Sequence, residues 1–302
     1  MKTSYEEIVK SSYIGRAENP VSMNEILKKA EAEALPKAAS QAEKILFIAV
    51  DVQQDFIEGG ALCVFGATAD IHRMTHFIYE NADKISHIAL SLDTHTPYQI
   101  FHPCWWEDSY GKSPEPFTTI TFADVESGKW RPRHEPQASS EYLRYLDNAG
   151  MKKLCIWPYH CIQGTTVAAL ENQFANMVYF HSIARDSHVK TLVKGTQCQT
   201  EFYGIIRPEY DPENEHLNLD ILNEIENSDK VIIAGEAMDY CVYESLRQIL
   251  DYFKDREDIA AKIYVLADCM SSIQDRAAAD KMYQELQSRH KIHIVRSTDK
   301  FL

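Results

Sequence analysis

The 302-residue chain sets 31 Lys and Arg against 45 Asp and Glu, a net charge of −14, with 45% hydrophobic residues. That balance argues against nucleic acid or an anionic membrane as the main partner, while the apolar content suffices for a sizeable core. Seven cysteines with no CxxC pair suggest neither a disulfide framework nor a zinc ribbon. No run approaches the roughly 18 apolar residues of a membrane helix, and the N-terminus lacks the apolar stretch of a signal peptide, so a cytoplasmic enzyme is expected.

Residues 1–44 read as an N-terminal extension, with a short helix over 24–34 that has no strong apolar stripe. Residues 45–302 read as one domain in which apolar strands alternate with helical segments. Ile45–Val50 is strand-like, 70–81 helical and 87–92 strand-like. A strand over 154–157 precedes a helix opened by Gly164-Thr-Thr and running to about 178. Short strands at 191–193 and 231–234 follow, then a helix over 239–253 with Val242, Leu246, Ile249, Leu250 and Phe253 on one face. Ile263–Leu266, 277–288 and 292–295 complete the series as strand, helix and strand. Such alternation predicts an α/β fold, a mostly parallel sheet covered on both faces. The segment 102–146 interrupts the pattern. Its five prolines and its Trp105, Trp106 and Trp130 predict a long, largely irregular insertion on the ligand side of the sheet, either a lid or subunit contact or a packed surface elaboration.

Chemistry concentrates where strands end, which is where open α/β sheets bind ligands. Asp93 and His95 leave the 87–92 strand two residues apart, and His160 lies within Trp157-Pro-Tyr-His-Cys161. Imidazole and carboxylate suit one divalent ion of Zn, Fe or Mn, and three protein ligands leave coordination positions open. Asp51 follows the first strand and is placed either as a general base or as a loop cap. Cys241 follows Gly235-Glu-Ala-Met-Asp-Tyr in the first turn of a helix, where free N–H groups and the helix dipole lower a thiol's pKa; the alternative is a structural cysteine. Lys194 closes a buried strand and needs an anionic partner such as a thiolate or an Asp.

These stretches, Asp51-Val-Gln-Gln-Asp-Phe56, Asp93-Thr-His95, Trp157-Pro-Tyr-His160-Cys161, Lys194-Gly195 and Gly235–Cys241, occur in the order seen in nicotinamidases. The chain from about 45 to 295 thus resembles the isochorismatase-like cysteine hydrolases. The resemblance implies a three-layer α/β/α sandwich and a catalytic triad of Asp51, Lys194 and Cys241. It implies metal ligands Asp93, His95 and His160, and a non-proline cis peptide at Glu236–Ala237. The backbone N–H groups of Ala237 and Cys241 would form the oxyanion hole, and Phe56 and Trp157 would flank the substrate ring. His102 is a second-tier choice for an extra histidine near the metal, because its spacing from His95 is not the family's. The insertion, much longer than the matching stretch of compact members, and the N-terminal extension would reshape the pocket.

The expected activity is hydrolysis of a small carboxamide, most simply nicotinamide to nicotinate and ammonia through a thioester, with one divalent metal holding the ring nitrogen. The alternatives are another small amide or a vinyl ether on the same fold. Cys241 and the complete metal set argue against the vinyl ether. No nucleic-acid or membrane partner is expected, and a homo-oligomer stays open.

Overall fold

The computed structural model describes residues 1–302. Six strands form one sheet: β1 (Ile45–Val50), β2 (His87–Asp93), β3 (Lys190–Lys194), β4 (Lys230–Gly235), β5 (Ile263–Leu266) and β6 (His293–Val295). Their spatial order is 6-5-4-1-2-3, and every pairing is parallel. All six side chains of β1 are buried, as a central strand covered on both faces requires. The order reverses between β1 and β4, so the crevice at their carboxyl ends is the place where such sheets take ligands. Register carries the consequence to single residues: Val50 pairs with Gly235, and Asp93 with Lys194.

Seven longer helices complete a three-layer α/β/α sandwich: α1 (Met23–Glu31), α2 (Ala67–Glu80), α3 (Pro136–Ala149), α4 (Asn172–Arg185), α5 (Leu219–Asn227), α6 (Tyr243–Tyr252) and α7 (Arg276–Arg289). Local chemistry sets their ends. Ser22 and Glu25 form a reciprocal cap at the start of α1, and the Asn218 side chain accepts from Ile221 N–H at the start of α5. No helix is long and apolar enough to cross a membrane.

Four expectations change in detail. Leu154–Cys155 does not join the main sheet but pairs antiparallel with Thr119–Ile120. The helix foreseen from Gly164 begins only at Asn172, because Gly164 takes a left-handed turn and the Glu171 carboxylate caps Phe174 N–H. The insertion contains the 14-residue α3, which starts on Pro136 in the one helical turn that tolerates proline. Cys241 lies in a π turn, Met238–Val242, ahead of α6.

Residues 1–44 lie against the domain. Tyr5, Ile8, Val9, Ile26 and Ala30 belong to the hydrophobic core. Ile26 and Ala30 sit four apart and fully buried on α1, a stripe too narrow to stand out among its Lys and Glu residues.

Candidate active site

The carboxyl ends of β1, β2, β3 and β4 bring the predicted residues together. Asp51 follows β1 in a left-handed conformation (φ 49°), and Ser91 of β2 holds it from both sides. The Ser91 hydroxyl donates to Asp51 Oδ1 at 2.5 Å and accepts from Asp51 N–H at 3.0 Å. Lys194, only 2% exposed, places its Nζ 2.8 Å from Asp51 Oδ2 and 2.9 Å from Asp93 Oδ1. The same ammonium donates to Phe202 O at 3.1 Å and lies 3.7 Å from Cys241 Sγ. One cation thus bridges two buried carboxylates and faces the thiol.

The electrostatics follow from that arrangement. Burial opposes the charge on Lys194, but Asp51 and Asp93 outweigh it and hold its pKa well above the ordinary lysine value. Burial raises Asp51 against the pull of Lys194. Burial also pushes the Cys241 thiol well up, against the pull of Lys194 and with Asp51 and Asp93 adding to the rise. The expectation that the helix terminus favours a resting thiolate is therefore corrected. The buried thiol keeps its proton beside a carboxylate able to take it.

The other set converges on Asp93 Oδ2, which lies 3.0 Å from His95 Nε2 and 3.8 Å from His160 Nε2. Ligand atoms of all three residues fall within 4.8 Å of one another. Each imidazole is held from behind: His95 Nδ1 meets Gly195 O at 3.0 Å and His160 Nδ1 meets Pro158 O at 2.8 Å. Nδ1 then carries the proton and both Nε2 lone pairs face the carboxylate, the orientation a metal ligand requires. The donors fit one divalent cation. Gly195 has a positive φ of 80°, and a Cβ there would strike the His95 ring and come 2.8 Å from Asp93 Oδ1, so this position admits only glycine. The His102 ring lies 5.8 Å from that of His160 and 6.0 Å from that of His95, centroid to centroid. Its Nδ1 meets Pro97 O at 3.1 Å and its buried Nε2 has no hydrogen-bond partner.

Both sets open onto one pocket lined by Phe56, Asp93, His95, Trp157, His160, Glu201, Tyr203, Ala237, Tyr240 and Cys241, among others. Both predicted aromatic walls, Phe56 and Trp157, are there. The Glu236–Ala237 peptide is cis. Backbone N–H groups of Gly235, Glu236 and Met238 are spent on Cys269, Val50 and Ser271 carbonyls, whereas Ala237 N–H donates to no protein acceptor.

Several functional contacts escaped the sequence reading. Gln53 clamps Asp93, accepting from its N–H at 2.7 Å and donating to its C=O at 2.9 Å. Asp55 accepts from Cys161 N–H at 2.6 Å, fixing the His160 loop. Both residues stand inside the Asp51–Phe56 stretch, so polar side chains directly after a buried strand were the available signal. Ser91 and Glu201 gave none, one lying within a strand and the other in an aperiodic loop.

Comparison of the sequence with protein-family models finds no match, and comparison with curated proteins finds none either. Solved structures do match in fold. The yeast nicotinamidase Pnc1p is 22% identical with a TM-score of 0.60, over 83% of this chain and 99% of that one. The nicotinamidase/pyrazinamidase of Acinetobacter baumanii is 19% identical with a TM-score of 0.58, over 86% and 99%. The pyrazinamidase of Pyrococcus horikoshii, solved with zinc, is 20% identical with a TM-score of 0.50, over 84% and 99%. The resemblance read from the sequence is thus borne out as a shared fold.

Proposed function

We propose that this protein is a metal-assisted cysteine amidohydrolase acting on a small aromatic carboxamide, with nicotinamide the simplest substrate. The observation that carries the proposal is the position of Lys194 Nζ, 2.8 Å from Asp51 and 3.7 Å from Cys241, beside a pocket lined by Cys241 together with Asp93, His95 and His160. The names of the fold neighbours, nicotinamidases and pyrazinamidases, agree with it.

In this reading Asp51 accepts the Cys241 proton as Sγ attacks the carboxamide carbon. Lys194 keeps the cluster neutral enough for the thiolate to form. The charge that develops on the carbonyl oxygen meets the N–H groups of Ala237 and Cys241. The C–N bond breaks as Asp51 returns the proton to nitrogen, releasing ammonia and leaving a thioester. Asp51 then deprotonates a water that attacks the thioester, the C–S bond breaks, and the carboxylic acid leaves with the thiol restored. Asp93, His95 and His160 would hold a divalent cation, which would supply a Lewis acid for the substrate's ring nitrogen and so orient the ring. Phe56 and Trp157 supply flat apolar walls.

Benzamide tests this assignment, since it keeps the ring shape and lacks the nitrogen. The metal-loaded enzyme should release ammonia from nicotinamide at least about 100-fold faster than from benzamide, the scale on which a site rejects a substrate that leaves a polar partner unmet. Equal rates would contradict the role given to Asp93, His95 and His160.

A further inference from the structure

Glu236 directly follows β4, and its carboxyl group is fully buried outside the reaction pocket. The charged groups that bear on it most are Asp70 and Glu58, both acidic. Asp70 is buried in the first turn of α2. Its Oδ1 receives Arg73 Nη2 at 2.5 Å and its Oδ2 receives the Ser271 hydroxyl at 2.5 Å. Glu236 has a single protein donor, Ser271 N–H at 3.3 Å from Oε2, and its buried Oε1 meets none. The two carboxyl groups are hydrogen-bonded to each other, and in contact away from water both cannot be charged, so a proton lies between them. Asp70 has the cation, the hydroxyl and the positive end of a helix, and it keeps the negative charge. A hydrogen on Glu236 Oε1, donated to Asp70, then accounts for the atom that otherwise has no partner.

The same residues brace the backbone on both sides of Ala237. Ser271, in the loop after β5, gives its N–H to Glu236 and its hydroxyl to Asp70, and its carbonyl takes Met238 N–H at 2.7 Å. Glu236 N–H is fixed on Val50 O at 2.8 Å. Ala237 N–H lies between these two tied residues and is left free. Space around the brace is full, since a Cβ on Gly66 would stand 2.6 Å from Ser271 Oγ.

We propose that Glu236 is a positioning residue, whose acid hydrogen bonds Asp70 and closes a Glu236–Asp70–Ser271 ring that aims Ala237 N–H at the developing oxyanion. The inference rests on the amidohydrolase reading and adds to it a residue outside the pocket.

Wild type, Glu236→Gln and Glu236→Met, all metal-loaded, would be compared in ammonia release from nicotinamide and in inhibition by pyridine-3-carbaldehyde. The aldehyde carbon bonds to Cys241 Sγ as the C=O pair moves to oxygen and the thiol proton passes to Asp51, so its affinity reports on the oxyanion donors. Glu236→Met should lower kcat by about 100-fold, the scale of a reacting group misplaced by about 1 Å. KM should change far less, and the aldehyde should weaken by a similar factor to kcat. Glu236→Gln cannot ionise, but its amide donates to Asp70 and accepts from Ser271 N–H. It should restore both quantities to within a few-fold of wild type. A residue that only stabilises the fold would lower the denaturation midpoint and leave kcat and aldehyde affinity unmoved, which would overturn the proposal. Equal losses in Glu236→Gln and Glu236→Met would overturn the donor role of the acid. If Glu236→Met does not fold, Ser271→Ala, which removes only the hydroxyl to Asp70, should show a smaller fall in both quantities, and wild-type values there would be equally fatal. A wild type that neither releases ammonia from nicotinamide nor binds the aldehyde at Cys241 would instead bring down the amidohydrolase reading itself.

Discussion

Lys194 concentrates the largest electrostatic stakes on one atom, since its ammonium is the only cation bridging Asp51 and Asp93. Lys194→Met should leave two buried carboxylates uncompensated and lower stability by about 3–5 kcal/mol, read as a fall in the urea midpoint. It should also abolish turnover. Ser91 acts more quietly. Its hydroxyl donates to Asp51 and so favours the ionised base. Ser91→Ala should raise the Asp51 pKa, so that kcat/KM is lost at a higher pH on the acid side than in wild type, with a rate roughly tenfold lower near neutrality. An acid limb that does not move would show that Asp51 is not the titrating base. At this scale the sequence was legible where a residue type is rare at a strand end, as for Asp51, Asp93, His95 and Lys194. It was illegible for Ser91, because a serine within an apolar strand resembles any tolerated polar residue until its cross-strand partner is known.

Elements divide along the same line. The six sheet strands were readable because buried parallel strands are short apolar runs bounded by polar residues. Helix α3 was not, since the prolines around it signal irregular chain and its first residue is itself proline. Yet α3 has a task at the cavity, where its Tyr142 hydroxyl receives the Glu201 backbone N–H, while Phe117 of the same insertion meets Trp157 edge-on at 6.0 Å. Tyr142→Phe should strand a buried N–H at a cost of about 1–3 kcal/mol and loosen the loop carrying Glu201 and Tyr203. The expected signature is a raised KM with a smaller change in kcat, together with a lower denaturation midpoint. Unaltered kinetics would mean that the insertion merely packs beside the site. The 154–157 strand failed as a prediction for a related reason. Its apolar residues are buried by a local antiparallel pair, and composition cannot say which sheet a strand joins.

At the scale of the molecule, the sheet order places β1 and β4 side by side, and this adjacency, invisible in a linear sequence, brings Asp51 to Cys241. The N-terminal segment is a second long-range feature. Tyr5 donates to or accepts from Thr75 of α2 at 2.8 Å, and Gly15 N–H donates to Glu171 at 3.1 Å. Buried aliphatic side chains contribute about 1.5–3 kcal/mol each, so Ile8, Val9 and Ile26 together approach the whole net stability of a typical domain, about 5–15 kcal/mol. Deletion of residues 1–44 should therefore yield protein without a cooperative unfolding transition. A truncated chain that melts like the full one would show this segment to be dispensable for the fold.

Cys241, the proposed nucleophile, is set beside Asp51 and Lys194 at the switch point of the sheet. Ammonia release from nicotinamide, compared between the metal-loaded wild type and Cys241→Ala, measures this most directly. The account predicts turnover by the wild type and none by a Cys241→Ala protein that keeps the wild-type circular dichroism spectrum. Undiminished ammonia release from Cys241→Ala would contradict it.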